Sequence, residues 1–146
     1  MKIGTPKEIF EGENRVAMTP ASARDLQKLG YDCVIESGAG KAAGFSDAAY
    51  KDAGVEVVKT GTALFKAADI IAKVRPPSDA ETKRLREGQT LISFFYPAQN
   101  DKLMDLANKQ GATVIAMDMV PEFLLMNEYL NRDRNNVMTL QLNYQS

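Results

Sequence analysis

Apolar positions along this chain come in short blocks separated by amphipathic stretches, and the punctuation between them is regular. Lys2–Gly4 reads as a brief strand ended by Thr5-Pro6. Thr19-Pro20 offers a helix cap followed by proline at the first helical position, where its missing N–H costs nothing. The stretch after it places Ala23, Leu26 and Leu29 on one face and stops at Gly30, a residue suited to the left-handed turn past a helix end. Tyr31–Ile35 follows as a strand. Ser46 caps a helix from Asp47 to Ala53, Val55–Val58 is strand-like, and Thr62–Ala68 is helical.

The second half repeats the scheme. Asp69–Val74 is a nearly continuous apolar run, the mark of a strand covered on both faces. Arg75-Pro76-Pro77 ends it, because proline cannot continue a central ladder. Ser78 caps a polar helix from Asp79 to Glu87, closed by Gly88, and Thr90–Phe95 is another buried strand. Asn100 caps a helix over Asp101–Gln110, and Ala112–Met117 is the last clear strand. Strand and helix alternating with short connections predict one α/β domain: a three-layer, doubly wound parallel sheet of flavodoxin or Rossmann type.

Composition adds a boundary. Residues 122–146 contain no Gly, Ala or Lys, whereas the preceding residues hold all 10 Gly, 18 Ala and 11 Lys. Asn runs the other way, with 5 in the tail and 3 before it. The tail opens on Phe123-Leu124-Leu125-Met126 and ends with alternation at Met138, Leu140, Leu142 and Tyr144. The expected division is therefore an α/β domain over 1–121 and a divergent segment over 122–146.

The full 146 residues, 45% hydrophobic and 25% charged, suffice for one domain with a real core. The chain has no histidine, which removes His triads, His bases and His metal ligands together. One cysteine, Cys33, rules out an internal disulfide and a Cys-based zinc site. The net charge of −1 lacks the basic excess of a nucleic-acid binder. No apolar run is long enough to cross a bilayer. Met1 to Phe10 carries Lys2, Lys7 and Glu8 and lacks the apolar core of a signal peptide. With a lone cysteine, this fits a reducing cytoplasm. No metal or nucleic-acid partner is expected.

Gly38-Ala39-Gly40-Lys41-Ala42-Ala43 matches the dinucleotide pattern G-x-G-x-x-G/A directly after a strand. Yet the next helix starts only at Ser46, and Lys59-Thr60-Gly61 follows the next strand with no acid for a ribose hydroxyl. A glycine-rich turn is the better reading.

The remaining candidates gather at strand ends, where open α/β sheets bind ligands. Arg15 follows the first strand, and Lys73 and Arg75 close the fourth. Cations there suit an anionic group. A lysine within a buried run is costly unless paired. The plainer alternative has Lys73 pointing to solvent and Arg15 pairing with Glu11 or Glu13. Tyr96 and Gln99 end the fifth strand with a hydroxyl and an amide, and Asp118 follows the sixth as a loop acid or turn former.

Five motifs then occur in order: Lys2-Ile3-Gly4-Thr5-Pro6-Lys7-Glu8, Glu13-Asn14-Arg15-Val16-Ala17, Glu36-Ser37-Gly38-Ala39-Gly40, Lys73-Val74-Arg75-Pro76-Pro77 and Ala116-Met117-Asp118-Met119-Val120-Pro121. Together they resemble the N-terminal part of the alanine dehydrogenase and pyridine nucleotide transhydrogenase family. Ser93 to Asn100, with Tyr-Pro-Ala-Gln-Asn, is similar to the transhydrogenase alpha-subunit branch. The resemblance implies that an intact enzyme moves hydride between NAD(H) and NADP(H), coupled to proton translocation by membrane domains. This chain would be the first subdomain of the NAD(H)-binding part, peripheral to the inner membrane, partnered by the NADP-binding and membrane domains. Pairing with a second copy stays open.

Alanine dehydrogenases resemble this chain at Arg15 and Lys73, which would bind a substrate carboxylate and carbonyl. They place a catalytic histidine where Tyr96 stands, and a tyrosine of ordinary pKa near 10 is a poor substitute base. An alanine dehydrogenase-like oxidoreductase fragment and a non-enzymatic α/β binding module are the alternatives. The candidate cleft is thus Arg15, Lys73, Tyr96 and Gln99, with no catalytic residue and no tight NAD(H) site expected in this chain alone.

After Val-Pro the family continues with Arg-Ile-Ser-Arg-Ala-Gln-Ser and an Asp, whereas Glu122 follows here and the pattern is not resumed. The break coincides with the change in composition, so residues 122–146 read as a truncated or out-of-frame end that packs poorly. Limited proteolysis with intact-mass analysis checks this. Cleavage is expected to remove 122–146 first, and a protease-resistant tail would refute the expectation.

Overall fold

Three of the proposed helix caps are made as the sequence implies, and they set where the chain turns. The structure, a computed structural model, describes residues 1–119; the tail and its Met138–Tyr144 alternation lie outside the described residues. The Thr19 side chain accepts from Ser22 N at the start of α1 (Pro20–Lys28). Ser46 accepts from Ala49 N to open α2 (Asp47–Asp52), and Ser78 from Glu81 N to open α4 (Asp79–Lys83). Each satisfies one of the N–H groups a helix start leaves unpaired. Thr60 does the same for α3 (Gly61–Ala67), a cap not foreseen.

Asn100 departs from expectation. It sits at the start of α5 (Asp101–Lys109) but caps nothing with its side chain; the amide is used elsewhere. Helix α4 is also shorter than the predicted Asp79–Glu87. The Gln89 side chain accepts from Arg86 N and donates to Phe65 O and Ala68 O, each at 2.8 Å. Those bonds, with Leu85 turning into the core, pull the chain out of the helix.

Six parallel strands form one sheet in the order β3-β2-β1-β4-β5-β6. They are β1 (Lys2–Thr5), β2 (Asp32–Glu36), β3 (Glu56–Val58), β4 (Ile70–Ala72), β5 (Thr90–Ser93) and β6 (Thr113–Ala116). All six strands foreseen in the sequence are present. Alternate residues of β2 show the layering: Val34 packs with Leu64, Phe65, Ala68, Ile71 and Leu91 on the face of α3 and α5. Cys33 and Ile35 pack with Ala23, Tyr50 and Ala53 on the face of α1 and α2. Each large apolar side chain sealed in these layers contributes about 1.5–3 kcal/mol of transfer energy. Gly4 lets α3 sit close, since a Cβ there would stand 2.6 Å from Ala68 Cβ.

The chain crosses leftward from β1 and rightward from β4, although these strands are neighbours. That reversal opens a crevice at their carboxyl ends, the usual ligand position in such sheets.

Tyr50 is fully buried and its hydroxyl donates to Met18 O at 2.8 Å. Burial pushes this phenol up from 10 to about 12. The unfolded chain thus loses the proton first, and stability falls as pH rises from about 10 towards 12. Tyr50→Phe is expected to cost about 1 kcal/mol at neutral pH by leaving the carbonyl unpaired. Its deficit against wild type should narrow above pH 10, read by denaturant unfolding across pH.

Candidate functional site

A single carboxylate fills the crevice between β1 and β4. Past β1, Glu8 turns inward; its Oε1 accepts from Val74 N, and its Oε2 accepts from Lys73 Nζ at 3.1 Å and Arg75 N at 3.4 Å. Val74 N–H therefore leaves the sheet ladder for a side chain, which ends β4 two residues before the predicted Val74. Lys73 Nζ also donates to Arg75 O at 2.8 Å and lies 3.8 Å from Glu81 Oε1 in α4. The side chains of Glu8, Lys73 and Glu81 are 3%, 1% and 5% exposed. Lys73 is thus a sealed, paired cation, and the solvent-pointing alternative is wrong: charge inside the apolar run is tolerated only with carboxylates beside it.

A second carboxylate, Glu13, lies between two arginines. Arg15 grips it with Nε and Nη2, both at 2.8 Å, and Arg75 Nε reaches Oε2 at 2.7 Å. The bidentate Arg15 hydrogen bonds, helped by the Arg15 backbone N–H and then by Arg75, hold the Glu13 carboxyl well below its usual range. Arg75 also stacks on Phe10, 4.6 Å from the ring centre, a cation–π contact. The loop after β1 is therefore pinned onto the end of β4, and the Arg15 side chain stays 62% exposed.

Between this loop and the glycine turn lies a cleft of about 410 Å³, lined by Lys7, Glu8, Glu13, Arg15, Gly38, Ala39, Lys41 and Ala42. Most amides of the turn are bonded within the chain. Gly38 N donates to Asp47, Ala39 N to Glu36 O, Lys41 N to Gly38 O, Ala43 N to Gly40 O, and Phe45 N to Gly40 O. Gly38 takes φ +80°, which glycine adopts freely. A Cβ at Gly40 would stand 2.5 Å from the Tyr50 ring. Both glycines answer to local geometry, and Lys41–Ala43 is only one turn of 3-10 helix before α2. That agrees with reading the motif as a turn.

Tyr96 stands beyond the end of β5 with φ 51°, the one non-glycine positive φ among the described residues. A left-handed conformation costs such a residue roughly 1–2 kcal/mol. Asp118 receives Phe95 N at 2.7 Å and Tyr96 N at 3.0 Å. Asn100 Nδ2 donates to Phe95 O at 2.7 Å and Tyr96 O at 3.2 Å. The Tyr96 ring stacks on Phe94, with centroids 6.3 Å apart and planes 13° off parallel.

The four sequence candidates are thus distributed unequally. Arg15 lines the cleft, and Lys73 lies behind it, joined through Glu8. Arg15 is held above its ordinary pKa chiefly by Glu13, with smaller contributions from nearby Tyr96 and Glu8. Gln99 is exposed and linked to Tyr96 only by its backbone, Gln99 N donating to Tyr96 O at 2.9 Å. Sequence reasoning missed Glu8 and Glu81 as partners; the signal was the cost of Lys73 in an apolar run, which demanded an anion without saying which. Among the described residues no group of three His, Cys, Asp or Glu is placed to hold a metal. None of their helices is long and apolar enough to cross a membrane.

Six parallel strands in this order, with a charged cleft at their carboxyl ends, define a Rossmann-like α/β domain. Residues 4–125 match the family described as "Alanine dehydrogenase/PNT, N-terminal domain", and the chain belongs to that family. It is 69% identical over 121 residues to the NAD(P) transhydrogenase subunit alpha of Cereibacter sphaeroides, covering 83% of this chain and 23% of that one. Identity to the alanine dehydrogenase of Halomonas elongata is 40% over 120 residues, covering 82% of this chain and 32% of that enzyme. The crystal structure of transhydrogenase from Sinorhizobium meliloti superposes with TM-score 0.79 at 34% identity, over 84% of this chain and 36% of that one. The chain therefore spans about a quarter of the length of the transhydrogenase alpha subunit from Cereibacter sphaeroides.

The buried pair gives a direct test. Lys73→Ala strands Glu8 and Glu81 without a cation and is expected to cost about 3–5 kcal/mol. Glu8→Gln combined with Lys73→Met should recover part of that loss, both read by urea unfolding.

Proposed function

We propose that this chain serves as the N-terminal α/β unit of a NAD(P) transhydrogenase alpha subunit. In the intact assembly a hydride would leave one reduced nicotinamide and join an oxidised one, coupled to proton translocation by membrane domains. The observation that carries the reading is the 69% identity to the Cereibacter sphaeroides subunit, against 40% for the alanine dehydrogenase of Halomonas elongata. The absence of histidine from the whole sequence supports the same branch.

Within that assembly this unit acts as scaffold and as one wall of a cleft. The residues present make a poor cradle for a dinucleotide diphosphate, because the Gly38, Ala39, Lys41 and Ala43 amides of the glycine turn are already hydrogen-bonded within the chain. No step of hydride transfer is assigned to this chain. Arg15 keeps N–H groups beyond the two spent on Glu13 and faces the cleft, so it would receive an anionic or carbonyl group. Tyr96 would contribute a hydroxyl at the same sheet edge. Lys73 would act through Glu8, by holding the loop that carries Arg15. The partners would be the NADP-binding and membrane domains, with the unit cytoplasmic and peripheral to the inner membrane.

Calorimetric titration of the chain with NADH is expected to show weak binding or none. Tight binding would contradict the division of labour proposed here. Arg15→Ala should keep the fold with a modest loss of stability in urea unfolding, since Glu13 loses its bidentate partner but keeps Arg75.

A further inference from the structure

The sheet has two outer strands, and only one of them is guarded. β3 is three residues long, opens on the exposed Glu56 with Lys2 Nζ 2.9 Å away, and is followed at once by Lys59. Short length and charge are the usual protection of an outer strand against pairing with another chain. β6 lacks the charge: from Gln110 to Met117 there is no charged residue and no proline. The next carboxylate, Asp118, is turned back onto the N–H groups of Phe95 and Tyr96. Thr113, Val114 and Ile115 are β-branched and favour strand. Among the described residues no strand pairs with the far side of β6.

One face of that strand is open as well. Val114 and Ala116 pack on the core beneath α3 and α5. Alternation puts Thr113 and Ile115 on the other face, where the cluster under α1 and α2 draws no residue from β4, β5 or β6. Parallel sheets are ordinarily covered on both faces. An uncharged strand also suits a second copy of itself, because a two-fold contact sets the same surface against itself and here no like charges meet.

We infer that β6 is an interface between copies of this chain, pairing antiparallel with β6 of a second copy about a two-fold axis perpendicular to the sheet. Side-chain faces restrict the register. Such an axis keeps each face on its own side, so core-facing residues must meet core-facing ones. Centring it on Ile115 pairs the largest outward side chain of the strand with itself. Val114 then stands opposite Ala116 of the second copy, and Thr113 opposite Met117, which is 39% exposed. A slip of one residue would set Val114 against Ile115, a core-facing residue against an outward one.

The full chain is used throughout. Strand-to-strand pairing buries little area, so sedimentation velocity is run from about 5 to about 500 μM, where a weak dimer fills with concentration. A monomer–dimer equilibrium is expected. Thr113→Lys, at an exposed position, should weaken it about tenfold or more while the urea midpoint stays at the wild-type value. Ile115→Lys should abolish it; if that variant fails to fold, Thr113→Lys decides alone. Ile115→Cys under mild oxidation should link two chains, since residues paired across strands stand within disulfide reach. Glu56→Cys, at the guarded strand, should not. Cys33 is only 4% exposed and does not compete. The inference is overturned if the wild type stays monomeric over the whole range, the result expected if later residues of the same chain filled this strand edge. It is overturned equally if Thr113→Lys associates as the wild type does, or if the Ile115→Cys chain links no faster than the Glu56→Cys chain.

Discussion

The strand ends of this domain depend on where one carboxylate goes. Glu8 leaves the first strand, enters the crevice beside the fourth, and there serves two backbone N–H groups and the Lys73 ammonium at once. None of these partners tolerates being left alone, since a buried charge without a counter-charge is among the costliest faults in a protein interior. Lys73 extends the link to Glu81, which also completes the capping box of α4 through Ser78. Four segments are thereby locked at one point: the loop after β1, the end of β4, the turn at Arg75 and the start of α4. The second link, Glu13 between Arg15 and Arg75, is aligned by the first. The exposed guanidinium of Arg15 therefore has a fixed base although its own surroundings are wet.

Much of this was legible in the chain. The strands showed because parallel strands covered on both faces read as apolar runs, and Asp69–Val74 was the clearest case. Helix starts showed because Thr19, Ser46 and Ser78 have only one economical use before an amphipathic stretch. The late helix start showed in the chain too, since Ser46 stands well downstream of Gly38 and α2 opens only at Asp47. What escaped was non-local. Lys73 and Glu8 are far apart in sequence, and nothing near either residue names the other. Helix α4 stops early because Gln89 bonds to Phe65 and Ala68, which are distant in sequence, in and just after α3. Asn100 looked like a cap by position, but its amide serves the strained peptide units before it.

The cleft illustrates how one geometry can resemble a cofactor loop while doing different work. The glycines at 38 and 40 are required, one by its positive φ and one by the Tyr50 ring against it. The Gly38 amide is then taken by Asp47, and the Gly40 carbonyl by the amides of Ala43 and Phe45. A turn fixed by these bonds sets one wall of the cleft and the entry to α2. Family membership fits that economy: a unit with a rigid wall can leave the gripping of a ligand to other parts of a longer polypeptide.

Because β1 is central in space and first in sequence, the order of synthesis and the order of the sheet disagree. Strands β1 to β3 with α1 and α2 form a contiguous local half, complete on paper by Val58. Until β4 emerges, however, one side of β1 has unpaired N–H and C=O groups, and an open edge of that kind invites wrong pairing. Glu8 is also without its cation until Lys73 is made. The ion network thus closes only when the second half docks, so the nascent chain carries its most exposed edge and its unneutralised carboxylate side by side. A negative charge next to an open strand is itself a guard against edge-to-edge association. The residue that later locks the crevice thus protects the half-made sheet on the way there.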